Sequence, residues 1–82
     1  MTYERELELA LELVRKAGAL ALQLFDQPTP AEEKADTSPV TEADRACEKL
    51  IREALRDSFP EDGILGEEGT RIPSRSGRRW LI

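Results

Sequence analysis

Histidine is absent from the 82 residues, and cysteine occurs once. These two shortages exclude a disulfide scaffold, a zinc site built from cysteine and histidine, and a histidine-assisted serine or cysteine nucleophile within this chain. Aromatic residues make up only 5% of the sequence, and a chain of this length has room for one thin core. Any chemistry must therefore come from carboxylates, hydroxyls, lysine and arginine.

Long apolar runs are also missing, and none approaches the roughly 18 residues that a membrane-spanning helix needs. The formal net charge is −5, which argues against general binding to nucleic acid or to an anionic membrane. The first residues show no basic segment followed by an apolar stretch, so no signal peptide is predicted. We accordingly expect a cytoplasmic protein with no nucleic-acid or membrane partner.

Two amphipathic helices are predicted, over residues 2–26 and 41–59, separated by a proline-containing loop over 27–40. Thr41 is the expected N-cap of the second helix, with Asp44 at the carboxylate position of a capping box. Gly18, on the apolar face of the first helix, predicts the close approach of another backbone. The residues expected on the two core-facing stripes are Tyr3, Leu7, Ala10, Val14, Ala17, Ala21 and Leu24, then Ala43, Ala46, Cys47, Leu50, Ile51, Ala54 and Leu55.

Residues 60–82 predict a short antiparallel β-hairpin, with Ile64 and Leu65 in its first strand and residues 78–82 in its second. The pattern therefore indicates an α+β fold, in one partial domain over residues 1–82. Natural chain ends tend to be polar, whereas this one stops on Trp80, Leu81 and Ile82. We expect the chain to be the N-terminal part of a longer protein.

Three features suggest chemistry. Glu67 and Glu68 lie between two glycines after an apolar strand. One of these carboxylates, at the end of a strand, is suited to binding Mg²⁺. The alternative is that both belong to an acidic turn exposed to solvent. Asp44 either caps its helix or orients a reacting water through a second group. Lys34 is either an exposed loop lysine or a cation beside a metal or phosphate site.

The order and spacing of these features resemble a known family. Three blocks carry the resemblance: Lys34-x-Asp36-x-Ser38-Pro39-Val40-Thr41-Glu42-Ala43-Asp44, then Gly63-Ile64-Leu65-Gly66-Glu67-Glu68, then Arg79-Trp80-Leu81-Ile82. Together they resemble the N-terminal region of the inositol monophosphatase family. That family contains Mg²⁺-dependent phosphatases of small phosphate esters. The resemblance implies that the parent has a layered α/β/α/β/α sugar-phosphatase fold, with these helices covering one face of its first sheet.

The resemblance also implies roles for individual residues. Glu67 matches a metal-ligand glutamate that touches the attacking water, and Asp44 matches an aspartate that pairs with a threonine to polarise that water. Lys34 matches a lysine close to the metal, and Glu68 is a secondary metal candidate. The sequence stops one residue before the family's Asp-Pro-Ile-Asp-Gly-Thr block, which supplies further metal carboxylates. The 82 residues alone are therefore predicted to be inactive.

Two alternatives stay open at this point. The substrate is either inositol monophosphate or histidinol phosphate, with Mg²⁺ as the expected cofactor in both cases. The alternative to a phosphatase is a non-catalytic helical module for interaction or dimerisation. A homodimer would form through the exposed apolar helix or an unpaired edge strand, because an apolar edge invites strand addition.

Overall fold

The computed structural model describes residues 2–26 and 39–82. In chain order these ranges form α1 (Glu4–Asp26), α2 (Pro39–Ser58), β1 (Gly63–Leu65), β2 (Arg71–Ile72) and β3 (Arg79–Leu81). The predicted α+β class is confirmed, whereas most of the predicted 27–40 loop and Lys34 lie outside the described residues. Neither helix of the described ranges has the length and apolar character needed to cross a bilayer. The predicted cytoplasmic location stays a prediction.

The second helix begins earlier than the sequence predicts. Its first residue is Pro39, so Thr41 lies inside the first turn, and the predicted N-cap role of Thr41 is wrong. Asp44 consequently does not occupy the third position of a capping box. Proline is tolerated at a helix start because its missing N–H would have no partner there, and its fixed φ already suits the helix.

The hydrophobic core lies where the two helices meet the first strand. Leu13 of α1, Leu55 of α2 and Ile64 of β1 form its buried centre, with exposures of 4%, 1% and 2%. The predicted core-facing side of α2 is confirmed, since Ala43 and Leu55 are buried. Further partly buried residues pack around this centre: Leu9, Leu50, Ile51, Ala54, Ile72, Trp80 and Ile82.

The buried side of α1 is the predicted one only in part, since Ala10, Ala17, Ala21 and Leu24 are half-buried. Tyr3, Leu7 and Val14 are 59%, 60% and 67% exposed, while Leu13 faces the core. Apolar residues occupy a wide arc of α1, and α2 covers only one side of that arc. The prediction for Gly18 is also wrong, because a Cβ atom at this exposed position would meet no atom within 4 Å.

The three strands form a mixed sheet in the order β2-β1-β3. β1 pairs antiparallel with β2 and parallel with β3, with Ile64 opposite both Ile72 and Trp80. The predicted antiparallel pairing of β1 with the last strand is therefore wrong. The connection through β2 is long enough for the chain to return and run in the same direction as β1, as parallel pairing requires.

Arg78, just before β3, ties the sheet to the start of α1. Its Nη1 donates a hydrogen bond to Glu6 Oε2 at 2.6 Å, and its Nη2 donates to Asp62 Oδ2 at 2.8 Å. The guanidinium also lies over the ring of Phe59, 5.3 Å from the centroid. This one side chain thereby connects α1, the end of α2 and the sheet.

Candidate active site

The turn between β1 and β2 presents the two adjacent glutamates. The N–H of Gly66 donates to the Thr70 carbonyl at 2.9 Å, and the N–H of Gly69 donates to the Gly66 carbonyl at 3.3 Å. Gly69 has a φ of +113°, a conformation that residues with a side chain rarely adopt. The turn is therefore compact, and it places Glu67 and Glu68 just beyond the carboxyl end of β1.

Glu67 is also attached to the end of β3. Its N–H donates to the Ile82 carbonyl at 3.2 Å, and the N–H of Ile82 donates to the Leu65 carbonyl at 2.9 Å. These bonds continue the parallel pairing of the two strands by one step. The backbone of Glu67 is thus held where the carboxyl ends of β1 and β3 meet.

One face of α2 lies against this turn. Residues spaced three and four apart share a helix face, which brings Asp44, Glu48 and Ile51 to the same side. Between helix and turn lies an open cleft of about 220 Å³, lined by Asp44, Cys47, Glu48, Ile51, Glu67, Glu68 and Ile82. Three of the predicted site residues, Asp44, Glu67 and Glu68, therefore meet at one cleft, and all three are exposed to solvent.

The sequence analysis missed Glu48, a buried acidic residue that lines this cleft. Glu48 is only 5% exposed, an unusual position for a charged side chain. Its Oε1 accepts a hydrogen bond from the N–H of Glu68 at 2.8 Å. Its Oε2 accepts from the N–H and the hydroxyl of Thr70, at 3.0 and 2.7 Å. The carboxylate therefore satisfies three donors of the turn that presents Glu67.

The surroundings of Glu48 favour its ionised form. Burial alone raises the pKa of this carboxyl, but hydrogen bonds from the Thr70 hydroxyl and from two backbone N–H groups outweigh burial and lower it below its usual range. Arg52 adds a favourable positive charge. The Nη1 of Arg52 also donates to the Thr70 hydroxyl oxygen at 3.3 Å. The Thr70 hydroxyl thus accepts a hydrogen bond from Arg52 and donates one to the Glu48 carboxylate.

One signal in the sequence pointed to Glu48. It follows Cys47 and precedes Leu50 on the apolar side of a strongly amphipathic helix, one turn after Asp44. A carboxylate at such a position is seldom buried unless it is paired, so its partners must come from another element. The sequence does not name those partners, which lie about twenty residues later in the chain.

The cleft offers the donor atoms that a hard cation prefers, in an incomplete set. Carboxylate oxygens suit Mg²⁺, which is often held by one or two carboxylates together with water and substrate phosphate. Asp44, Glu67 and Glu68 fit that chemistry by donor type. Within residues 2–26 and 39–82, however, no three histidine, cysteine or acidic side chains lie close enough together to hold an ion.

Comparisons with curated proteins point to phosphatases. The chain is 50% identical over 78 residues to the histidinol-phosphatase of Chlorobaculum parvum, covering 94% of the chain and 30% of that protein. It is 38% identical over 85 residues to the histidinol-phosphatase of Mycobacterium tuberculosis, with the same two coverages. A 3'(2'),5'-bisphosphate nucleotidase, CysQ of Escherichia coli, is 36% identical over 81 residues, which cover 93% of the chain and 33% of the nucleotidase. The chain thus spans about a third of the length of these relatives.

A solved structure and a family model agree with these relatives. An inositol monophosphatase from Zymomonas mobilis superposes with a TM-score of 0.65 at 41% identity, covering 83% of this chain and 27% of that one. The model of the inositol monophosphatase family matches residues 2–82. Because that match takes in almost the whole sequence, the chain belongs to the inositol monophosphatase family.

Proposed function

We propose that the chain is the N-terminal segment of a Mg²⁺-dependent phosphatase that hydrolyses a small phosphate monoester. The observation that supports this proposal is the cleft at which Asp44 of α2 and Glu67 of the β1–β2 turn meet. Two carboxylates from different elements then face one open space next to the ends of two parallel strands. That arrangement is suited to a cation and a phosphate, which both need polar groups brought together from several elements.

Each predicted site residue has a role in this proposal. Glu67 supplies a carboxylate oxygen to the cation, with Glu68 as a secondary ligand. Asp44 accepts a hydrogen bond from the group that orients the attacking water, and Lys34 adds positive charge near the phosphate. When bound, Mg²⁺ lowers the pKa of a bound water and stabilises negative charge on the phosphoryl oxygens.

Histidinol phosphate is the substrate we propose first. Two of the relatives described above are histidinol-phosphatases, and one of them is 50% identical to this chain. Inositol monophosphate is the alternative, supported by the Zymomonas mobilis structure. We also propose that the 82 residues alone are inactive, because no three acidic side chains among the described residues lie close enough together to hold an ion.

A hybrid enzyme tests this proposal. These 82 residues would replace the segment of the Chlorobaculum parvum histidinol-phosphatase to which they align, giving a protein of full length that is called the hybrid below. We expect the hybrid to release phosphate from histidinol phosphate in the presence of Mg²⁺ and the separate 82-residue chain to release none. Glu67→Gln in the hybrid should reduce turnover by about a hundredfold or more, exceeding the usual effect of residues that only support a ligand.

The matched control is Glu53→Gln, which removes the same charge from an exposed position of α2 that does not line the cleft. Turnover of this variant should equal that of the unmodified hybrid. Equal turnover of the Glu67→Gln and Glu53→Gln variants would refute the role of Glu67. Phosphate release by the 82-residue chain alone would refute its predicted inactivity.

The exposed side of α1 supports a second candidate, an interaction module that pairs with another copy of the chain. An apolar surface covers one side of α1 and the residue before it, with exposures between 49% and 67%: Tyr3, Leu7, Leu11, Val14 and Leu22. β3, an edge strand with Leu81 73% exposed, adds a site for strand pairing. Sedimentation of the chain with and without Mg²⁺ separates the candidates, because a dimer that ignores Mg²⁺ favours the module.

A further inference from the structure

The buried carboxylate of Glu48 connects the cleft's two walls. It belongs to α2, yet all three of its hydrogen bonds come from the turn after β1: the N–H groups of Glu68 and Thr70 and the hydroxyl of Thr70. At 5% exposure it has little contact with water. The hydrogen bonds of a buried carboxylate are stronger than those of an exposed one, so this attachment of the turn to the helix is firm.

The backbone of the turn is shaped to admit that carboxylate. A Cβ atom at Gly66 would overlap the Glu48 side chain, at both its Cδ and its two oxygens. Glycine at this position lets the turn come close enough for both N–H groups to reach the oxygens. The contact is thus formed from both sides, by a side chain of α2 and by a glycine that leaves room for it.

Glu67 lies between two fixed points of the backbone. On one side its own N–H is bound to the Ile82 carbonyl, and on the other the N–H of Glu68 is bound to Glu48. Asp44, on the opposite wall of the cleft, precedes Glu48 by one helical turn. The helix therefore fixes the position of Asp44 relative to Glu48. Glu48 in turn fixes the position of Glu67 relative to the helix.

We infer that Glu48 is a positioning residue, which holds the 66–70 turn so that Glu67 faces the cation site opposite Asp44. This inference rests on the proposed role of Glu67 as a cation ligand. In this assignment Glu48 acts through the turn and not as a cation ligand, since both of its oxygens accept hydrogen bonds from the turn. Loss of its hydrogen bonds frees the turn and weakens cation binding, while the substrate-binding groups supplied by the rest of the hybrid stay in place.

The test uses Mn²⁺ as the probe, since carboxylate sites that take Mg²⁺ also accept this ion. Mn²⁺ is titrated into the hybrid without substrate, and free ion is followed by its electron paramagnetic resonance signal. Glu48→Gln keeps the size of the side chain but turns an amide N–H₂ toward a donor of the turn. We expect the Mn²⁺ dissociation constant to rise by about tenfold. KM for histidinol phosphate at saturating Mn²⁺ should stay within about twofold, which a general structural defect would not allow.

Thr70→Val is the second variant, and Glu53→Gln is again the control. Thr70→Val removes one hydrogen bond to Glu48 with little change in volume, so it reports on the same attachment if Glu48→Gln does not fold. A rise of the Mn²⁺ dissociation constant above about threefold in a folded variant, relative to Glu53→Gln, supports the inference, and a smaller change overturns it.

Failure of the inference and failure of the proposed function give different results. A hybrid that binds Mn²⁺ but releases no phosphate rejects the phosphatase proposal, and the Glu48 variants are still judged by Mn²⁺ affinity. A hybrid that hydrolyses histidinol phosphate, with unchanged Mn²⁺ affinity in both variants, rejects only the role of Glu48. A hybrid that binds no Mn²⁺ rejects both.

Discussion

Asp62 Oδ2 accepts a hydrogen bond from the indole Nε1 of Trp80 at 2.9 Å. Asp62 immediately precedes β1 and is only 5% exposed, while Trp80 is the middle residue of β3. The same carboxylate accepts hydrogen bonds from Arg78 Nη2 at 2.8 Å and from the Ser76 hydroxyl at 2.5 Å. One buried acidic side chain therefore holds together the beginnings of the two parallel strands.

The first prediction concerns this buried carboxylate. Asp62→Asn removes the charge and leaves at least one donor of Arg78, Ser76 or Trp80 without an acceptor, so the free energy of unfolding should fall by about 2 kcal/mol. Urea unfolding followed by the fluorescence of the single tryptophan measures the change. The exposed Asp57→Asn variant, at the end of α2, should unfold at the same urea concentration as the unmodified chain.

The second prediction is loss of stability in acid. Burial raises the pKa of Asp62, but hydrogen bonds from Arg78, Ser76 and Trp80 outweigh it and lower the pKa below its usual range. A carboxyl with a lowered pKa in the folded state stabilises the fold above its unfolded pKa of about 3.9, and this contribution is lost as the pH falls through the folded value. The free energy of unfolding should therefore decrease from about pH 5 downwards.

The control for that prediction is the pH dependence of Asp62→Asn, which no longer has the titrating group. Its stability should fall less steeply in acid than that of the unmodified chain. The lowered pKa of Glu48 leaves the variant with a residual slope. Parallel curves for the variant and the unmodified chain would contradict the role assigned to Asp62.

The third prediction compares two glycines. Gly66→Ala places a methyl group against the Glu48 carboxylate and should lower the free energy of unfolding by about 1–3 kcal/mol. Gly18→Ala adds the same group to an exposed helical position with no atom within 4 Å. That change should raise stability by up to about 1 kcal/mol, because alanine favours the helix. Thermal unfolding by circular dichroism measures both, and an equal midpoint for the two variants would contradict the prediction.

The fourth prediction concerns the exposed apolar surface of α1. Leu7→Glu combined with Val14→Glu places charge where both side chains are at least 60% exposed, so the helix should remain folded. If this surface mediates pairing between copies, the double variant should sediment as a monomer at concentrations where the unmodified chain associates. The exposed Glu8→Gln variant is the control and should associate as the unmodified chain does. Equal association of the double variant would exclude this surface as the contact.

Local patterns predicted much of the fold, and the family resemblance named the candidate site residues. The periodicity of α2 identified its buried face, including Ala43 and Leu55. The family resemblance predicted Asp44, Glu67 and Glu68 as site residues; the structure brings them to one cleft, and their roles stay predictions. Lys34 lies outside the described residues, and its role stays a prediction. The confirmed predictions of the fold depended on residues within a few helical turns or one strand of each other.

The predictions that failed needed information from distant parts of the chain. Apolar residues surround much of α1, so the choice of Leu13 over Val14 as the buried residue depended on where α2 packs. The direction of β3 depended on its route past β1, where the N–H groups of Arg75 and Ser76 donate to the Glu61 carbonyl. A strand sequence has the same alternation in either direction, so it does not distinguish parallel from antiparallel pairing.

The sequence by itself determined that the chain forms two amphipathic helices and short strands, and that its acidic motifs have the spacing of a phosphatase family. Those features follow from the periodicity of the apolar residues and from the order of neighbouring residues. Only the tertiary structure decided that Glu48 is buried, because its charge is tolerated there through donors that belong to a turn far along the chain. A carboxylate is stable in a buried position only when donors hydrogen-bond to it, and here the chain must fold to bring those donors to Glu48.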